Sequence, residues 1–109
     1  MELQLAIDLL NKEEAAKLAQ KVEEYVDIVE IGTPIVINEG LPAVQHLNEN
    51  INNAKVLADL NIMDAADYEV SQAVKYGADI VTILGLLKML QLKQQLKKRI
   101  NMEKHCLLI

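Results

Sequence analysis

Short apolar runs alternate with amphipathic stretches along this chain, at intervals of roughly 25 residues. Leu3-Gln4-Leu5-Ala6-Ile7-Asp8 is the first run. Asn11 then suits a helix N-cap, with Glu13 and Glu14 placed in the favourable first turn. Ala15, Leu18, Ala19, Val22 and Val26 recur at three- and four-residue spacing, one face of that helix. Val26-Asp27-Ile28-Val29-Glu30-Ile31 is the second run, and Gly32-Thr33-Pro34 is expected to turn the chain. A second helix is expected to open at Asn38 or Glu39 and run to about Asn48. Lys55-Val56-Leu57-Ala58-Asp59-Leu60 is the third strand, residues 65–76 the third helix with Gly77 as its cap, and residues 78–84 the fourth strand.

Strands that are apolar on both faces and alternate with helices belong to parallel sheets. Right-handed crossovers then leave an open doubly wound sheet or a (β/α)₈ barrel. A barrel needs about 200 residues or more, and this chain has 109. The expectation is an α/β fold with about four parallel strands, the N-terminal half of a (β/α)₈ barrel over residues 1–85.

Charge divides the chain. Residues 1–85 hold 15 acids and 5 bases, whereas residues 86–109 hold one acid, Glu103, and six bases. All four Gly and both Pro lie at or before Gly85. The 86–109 tail is Leu-, Lys- and Gln-rich and reads as helical. Net acidity and three scattered Tyr argue against a nucleic-acid partner. The longest apolar run is far short of the ~20 residues that span a bilayer, and no export signal is visible. A single cysteine, Cys106, excludes an internal disulfide and suggests a reducing compartment. A cytoplasmic protein is expected.

Reactive groups of parallel α/β folds cluster at the C-terminal ends of the strands. Here those ends carry Asp8, Glu30 and Asp59, with Asp64 in the loop after the third strand. Carboxylates gathered on one rim repel unless a cation lies between them, and oxygen-only ligands suit Mg²⁺. The competing reading has these acids capping helices or solvated in loops. His46 is expected to be a solvated or partly buried helix residue, and His105-Cys106 has no partner pair at ligand spacing.

Leu5-Ala6-Ile7-Asp8, Val26-Asp27-Ile28-Val29-Glu30-Ile31-Gly32-Thr33-Pro34 and Leu57-Ala58-Asp59-Leu60-Asn61-Ile62-Met63-Asp64-Ala65 resemble the 3-hexulose-6-phosphate synthases. These belong to the orotidine-monophosphate decarboxylase superfamily of (β/α)₈ barrels. The resemblance implies an aldehyde-lyase that condenses formaldehyde with D-ribulose 5-phosphate through an enediolate, in the ribulose monophosphate pathway of one-carbon metabolism. It implies Mg²⁺ held by Glu30 and Asp59, substrate contact by Asp8, and a homodimer in which Asp64 reaches the neighbouring subunit's site. The family pattern on the third strand is Asp-x-Lys-x-x-Asp; here Asn61 stands at the Lys position. An ammonium offsets clustered carboxylates, whereas a neutral amide offers only a weaker hydrogen bond.

The resemblance stops at Gly85. A one-nucleotide deletion just after that codon would produce the tail, because restoring a base permits an acidic amphipathic helix, a Gly cap and an apolar strand ending in Asp. On this reading residues 86–109 are out of frame and the truncated chain is inactive. Two alternatives stand beside it. One is a non-catalytic α/β fragment that self-associates or pairs with an intact homologue; the other is a related decarboxylase acting on a keto-sugar phosphate or orotidine monophosphate.

Overall fold

The computed structural model describes residues 1–84 and 106–108. Five strands form one sheet in sequence order: β1 (Gln4–Ile7), β2 (Ile28–Ile31), β3 (Lys55–Ile62), β4 (Ile80–Ile83) and β5 (Cys106–Leu108). Every neighbouring pair is parallel. The helices are α1 (Lys12–Val22), α2 (Thr33–Glu39), α3 (Pro42–Asn50) and α4 (Ala66–Lys75). Strands in sequential order, with helices joining β1 through β4, are the arrangement of one half of a (β/α)₈ barrel.

Local chemistry explains most boundaries. Asn11 caps α1 through a reciprocal box: its side chain accepts from Glu14 N at 2.8 Å, and Glu14 accepts from Asn11 N at 3.3 Å. Gly32-Thr33-Pro34 is not a turn but the start of α2, because Pro is at ease in a first helical turn, where its missing N–H has no partner to lose. The single helix expected from Asn38 or Glu39 is likewise two, broken at Gly40, which takes a left-handed φ of 71°. The tail, read as helical, contributes Cys106–Leu108 as β5 on the edge of β4. An unpaired β4 would leave a row of N–H and C=O groups without partners, which a short apolar segment can satisfy. The other residues of the tail, with their expected helix, lie outside the described residues.

Strand alternation gives the sheet two different faces. Ile7, Ile31, Ala58 and Val81 are register partners across β1 to β4 and are all buried, at 3% exposure or less. They pack with Val29, Val56 and Ile83 against Ala15 and Ala19 of α1, Val44 and Leu47 of α3, and Val70 and Ala73 of α4. The next register row, Ala6, Glu30, Leu57 and Ile80, points to the opposite face. That face carries the polar residues, so the helix-covered core holds the strands in line while their other side is left for chemistry.

Candidate active site

Asp8 and Asp59 each follow, two residues along their strands, a member of the row that contains Glu30. Alternation therefore puts the three carboxylates on one face, at the C-terminal ends of β1, β2 and β3. Their proximity has an electrostatic signature. Burial raises the proton affinity of Glu30, and the negative charges of Asp59 and Asp8 raise it further; the Gln4 side chain, donating to Glu30 Oε2, opposes the shift. Asp8 is also pressed against β2, since Gly32 passes so close that a Cβ there would stand 1.9 Å from Asp8 Oδ1.

Asp59 is held differently. Thr82 donates to its Oδ1 at 2.7 Å and Thr33 to its Oδ2 at 2.7 Å. This arrangement depends on an irregularity in β3. From Ala58 to Ile62 the strand advances four residues, while β4 advances only two, from Val81 to Ile83. The bulge turns Asn61 into the left-handed region, with φ 48°, where Asn is among the best tolerated residues after Gly. Its N–H leaves the ladder and donates instead to Thr82 Oγ1 at 2.9 Å, and its side-chain amide donates to Thr33 Oγ1 at 3.0 Å.

The sequence-derived candidates thus divide. Asp8, Glu30, Asp59 and Asn61 come together. Asp64 lies exposed in the loop between β3 and α4, outside the hydrogen-bonded cluster. Gln4, Thr33 and Thr82 join the site without having been singled out from sequence. The available signal was Thr82 itself, a hydroxyl inside the apolar run Ile80-Val81-Thr82-Ile83; buried at 2% exposure, it needs a partner.

The donor set bears on a hard cation. No group of three His, Cys, Asp or Glu side chains stands at metal-holding distance among the described residues. A closed protein cage is therefore absent from them, but Mg²⁺ is usually held by one or two carboxylates, completing its shell with waters and substrate oxygens. Glu30 and Asp59 meet that requirement. They offer oxygen donors on adjacent strands, and the donors bound to Asp59 occupy one site on each carboxylate oxygen, leaving others open.

Comparison with known proteins places the chain in a family. The chain is 98% identical over 86 residues to the 3-hexulose-6-phosphate synthase of Staphylococcus epidermidis, covering 79% of this chain and 41% of that enzyme. It is 75% identical over 107 residues to the synthase of Staphylococcus haemolyticus, covering 98% of this chain and 51% of that one. The chain thus spans about half the length of the curated relatives it matches. A crystal structure of a 3-hexulose-6-phosphate synthase superposes with a TM-score of 0.87 at 41% identity, over 99% of this chain and 52% of that one. The Salmonella typhimurium synthase gives 0.86 at 37% identity, over 99% and 51%. The family model described as orotidine 5'-phosphate decarboxylase / HUMPS family matches residues 1–109. With its parallel strands, its acidic strand ends and this match in agreement, the chain belongs to the orotidine 5'-phosphate decarboxylase / HUMPS family and is built as the N-terminal half of its (β/α)₈ barrel.

Proposed function

We propose that this chain carries the carboxylate half of a 3-hexulose-6-phosphate synthase site, for the aldol condensation of formaldehyde with D-ribulose 5-phosphate. The observation that carries the reading is Glu30 and Asp59 on one face of adjacent strands, with Asp8 close enough to raise the proton affinity of Glu30. In this proposal Glu30 and Asp59 hold Mg²⁺ and Asp8 contacts a substrate hydroxyl. The ion would supply positive charge beside the oxygen that becomes anionic as the donor carbon is deprotonated. The chain's own groups fix the positions of the carboxylates, through Gln4 on Glu30 and the two threonines on Asp59. Asp64, exposed beyond β3, is free to reach toward a second subunit in a homodimer. A cytoplasmic location accompanies this reading, supported by the single cysteine; among the described residues no helix is long and apolar enough to cross a membrane.

The 109-residue chain by itself is proposed to lack turnover. Its relatives are about twice as long, and by the family resemblance the phosphate-binding backbone lies on later strands. The test measures formaldehyde consumption with ribulose 5-phosphate, and Mn²⁺ binding by electron paramagnetic resonance, on the purified chain. Mn²⁺ binding that disappears in Asp59→Asn, with no consumption of formaldehyde, supports the proposal. Turnover by the chain alone refutes its inactivity, and a folded chain that binds no Mn²⁺ refutes the metal assignment. The decarboxylase reading has weaker support, since the Vibrio cholerae 3-keto-L-gulonate-6-phosphate decarboxylase superposes at 26% identity.

A further inference from the structure

We propose that Thr33 and Thr82 are positioning residues that clamp the Asp59 carboxylate between two hydroxyl donors, and that Asn61 sets the direction of both. A hydroxyl has one hydrogen to give, and a neighbour that donates to it cannot receive that hydrogen. Thr82 Oγ1 accepts the backbone N–H of Asn61 at 2.9 Å, which leaves its own hydrogen for Asp59 Oδ1 at 2.7 Å. Thr33 Oγ1 accepts the side-chain amide of Asn61 at 3.0 Å, which leaves its hydrogen for the Asp59 residue. Two acceptors compete there, the Asp59 carbonyl at 2.9 Å and the carboxylate Oδ2 at 2.7 Å. The carboxylate is both nearer and charged, and charge-assisted hydrogen bonds are the stronger kind.

One residue therefore directs both hydroxyls, through two different groups. The backbone group is available only because the bulge removes Asn61 N–H from the ladder at φ 48°. One N–H of the side-chain amide is given to Thr33, so Asn61 serves Asp59 through that hydroxyl. The clamp spans β3, β4 and α2, and its Thr82 arm is almost fully buried at 2% exposure. A short carboxylate gripped at both oxygens by donors from two other elements is confined to one rotamer.

The functional consequence rests on the reading of Asp59 as a metal ligand: groups that orient a ligand typically change metal affinity by 10–100-fold when removed. The experiment has two readouts on the full 109-residue chain. Side-chain ³J couplings report whether Asp59 occupies a single χ1 rotamer, and Mn²⁺ titration reports affinity. The parent and Thr82→Ser are expected to show one rotamer and Mn²⁺ affinities within about threefold of each other. Thr82→Val and Thr33→Val are expected to show rotamer averaging and about tenfold weaker binding. Asn61→Asp tolerates the same left-handed backbone but offers Thr33 an acceptor in place of a donor, so it is expected to release the Oδ2 side of the clamp. Thermal unfolding of each variant identifies any that fail to fold, and Asn61→Asp keeps the idea testable if the valine variants do. A single Asp59 rotamer retained in Thr82→Val and Asn61→Asp overturns the clamp, as does averaging in a folded Thr82→Ser. A parent chain that binds no Mn²⁺ overturns the metal assignment alone, and the couplings still decide the clamp.

Discussion

Replacing Gly32 by Ala probes how closely the first two strands approach at the lip of the site. Gly32 has φ −69° and ψ 155°, an extended conformation open to any residue, so its backbone does not require glycine. On that ground alone alanine would stabilise the fold by about 0.4–1 kcal/mol, by restricting the unfolded chain. Space argues the other way. The new Cβ would stand 1.9 Å from Asp8 Oδ1, 2.9 Å from Ile7 O and 3.0 Å from Asp8 Cγ. Asp8 can rotate away, which removes it from the site. Ile7 O cannot, because it is backbone and accepts Gly32 N at 2.9 Å. Overpacking of this kind costs about 1–3 kcal/mol, so the net loss is expected to be about 1–2 kcal/mol. With a urea slope of about 1 kcal/mol/M for a chain this small, the unfolding midpoint should fall by about 1–2 M. Placing the same change in an Asp8→Ala background removes the worst contact. The two effects should then fall short of additivity by about 1 kcal/mol. A Gly32→Ala variant as stable as the parent, or strict additivity with Asp8→Ala, refutes the close approach.

Two further outcomes follow from the same geometry. Glu30 has a raised proton affinity in the folded chain, so folding favours its protonated form; the stability this supplies is present at low pH and is lost as pH rises through the raised pKa. Glu30→Gln should therefore melt higher than the parent near neutral pH and lose that advantage as pH falls into the carboxylate range, and thermal melts that show the parent more stable at neutral pH would contradict this. Leu47, fully buried at 0% exposure between α3 and the sheet, should cost about 2–5 kcal/mol when truncated to Ala; a measured loss under about 1 kcal/mol by urea unfolding would show that the helix layer is not closely packed there.

The strands were legible because the face that packs on helices must be apolar at every second position, and Val29, Ile31, Val56, Ala58, Val81 and Ile83 all are. The acids were legible because they interrupt that pattern where a strand ends. Less was visible where the local signal pointed elsewhere. Gly32-Thr33-Pro34 has turn composition, yet Pro34 in a first helical turn satisfies the same preferences. The β3 bulge is only weakly marked, since the polar Asn61 in Asp59-Leu60-Asn61-Ile62 fits a strand's solvent face as well as a left-handed kink, and only the pairing with β4 exposes the two extra residues. Thr82 and Thr33 escaped notice for a related reason. Threonine is an ordinary strand or helix-start residue, and its role is defined by the groups that reach its hydroxyl from elsewhere in the chain.

Three of the places where the chain departs from local rules coincide, whereas Ala65, with φ 45°, and Gly77, against Asn48, lie elsewhere. A carboxylate with raised proton affinity at Glu30, a backbone approach at Gly32 that excludes a Cβ, and a left-handed Asn61 lie within one neighbourhood, on the face opposite the helices. Each is unfavourable by itself, and none contributes to the core formed by Ile7, Ile31, Ala58 and Val81. Their concentration at the C-terminal ends of β1, β2 and β3 is what a site retained for chemistry produces, because stability sacrificed there is offset by the helix-covered face. The same reasoning assigns Asn61 its place. The bulge needs a residue that accepts φ 48°, and the clamp needs a second donor toward Thr33. Asn meets both demands, whereas Gly meets only the first.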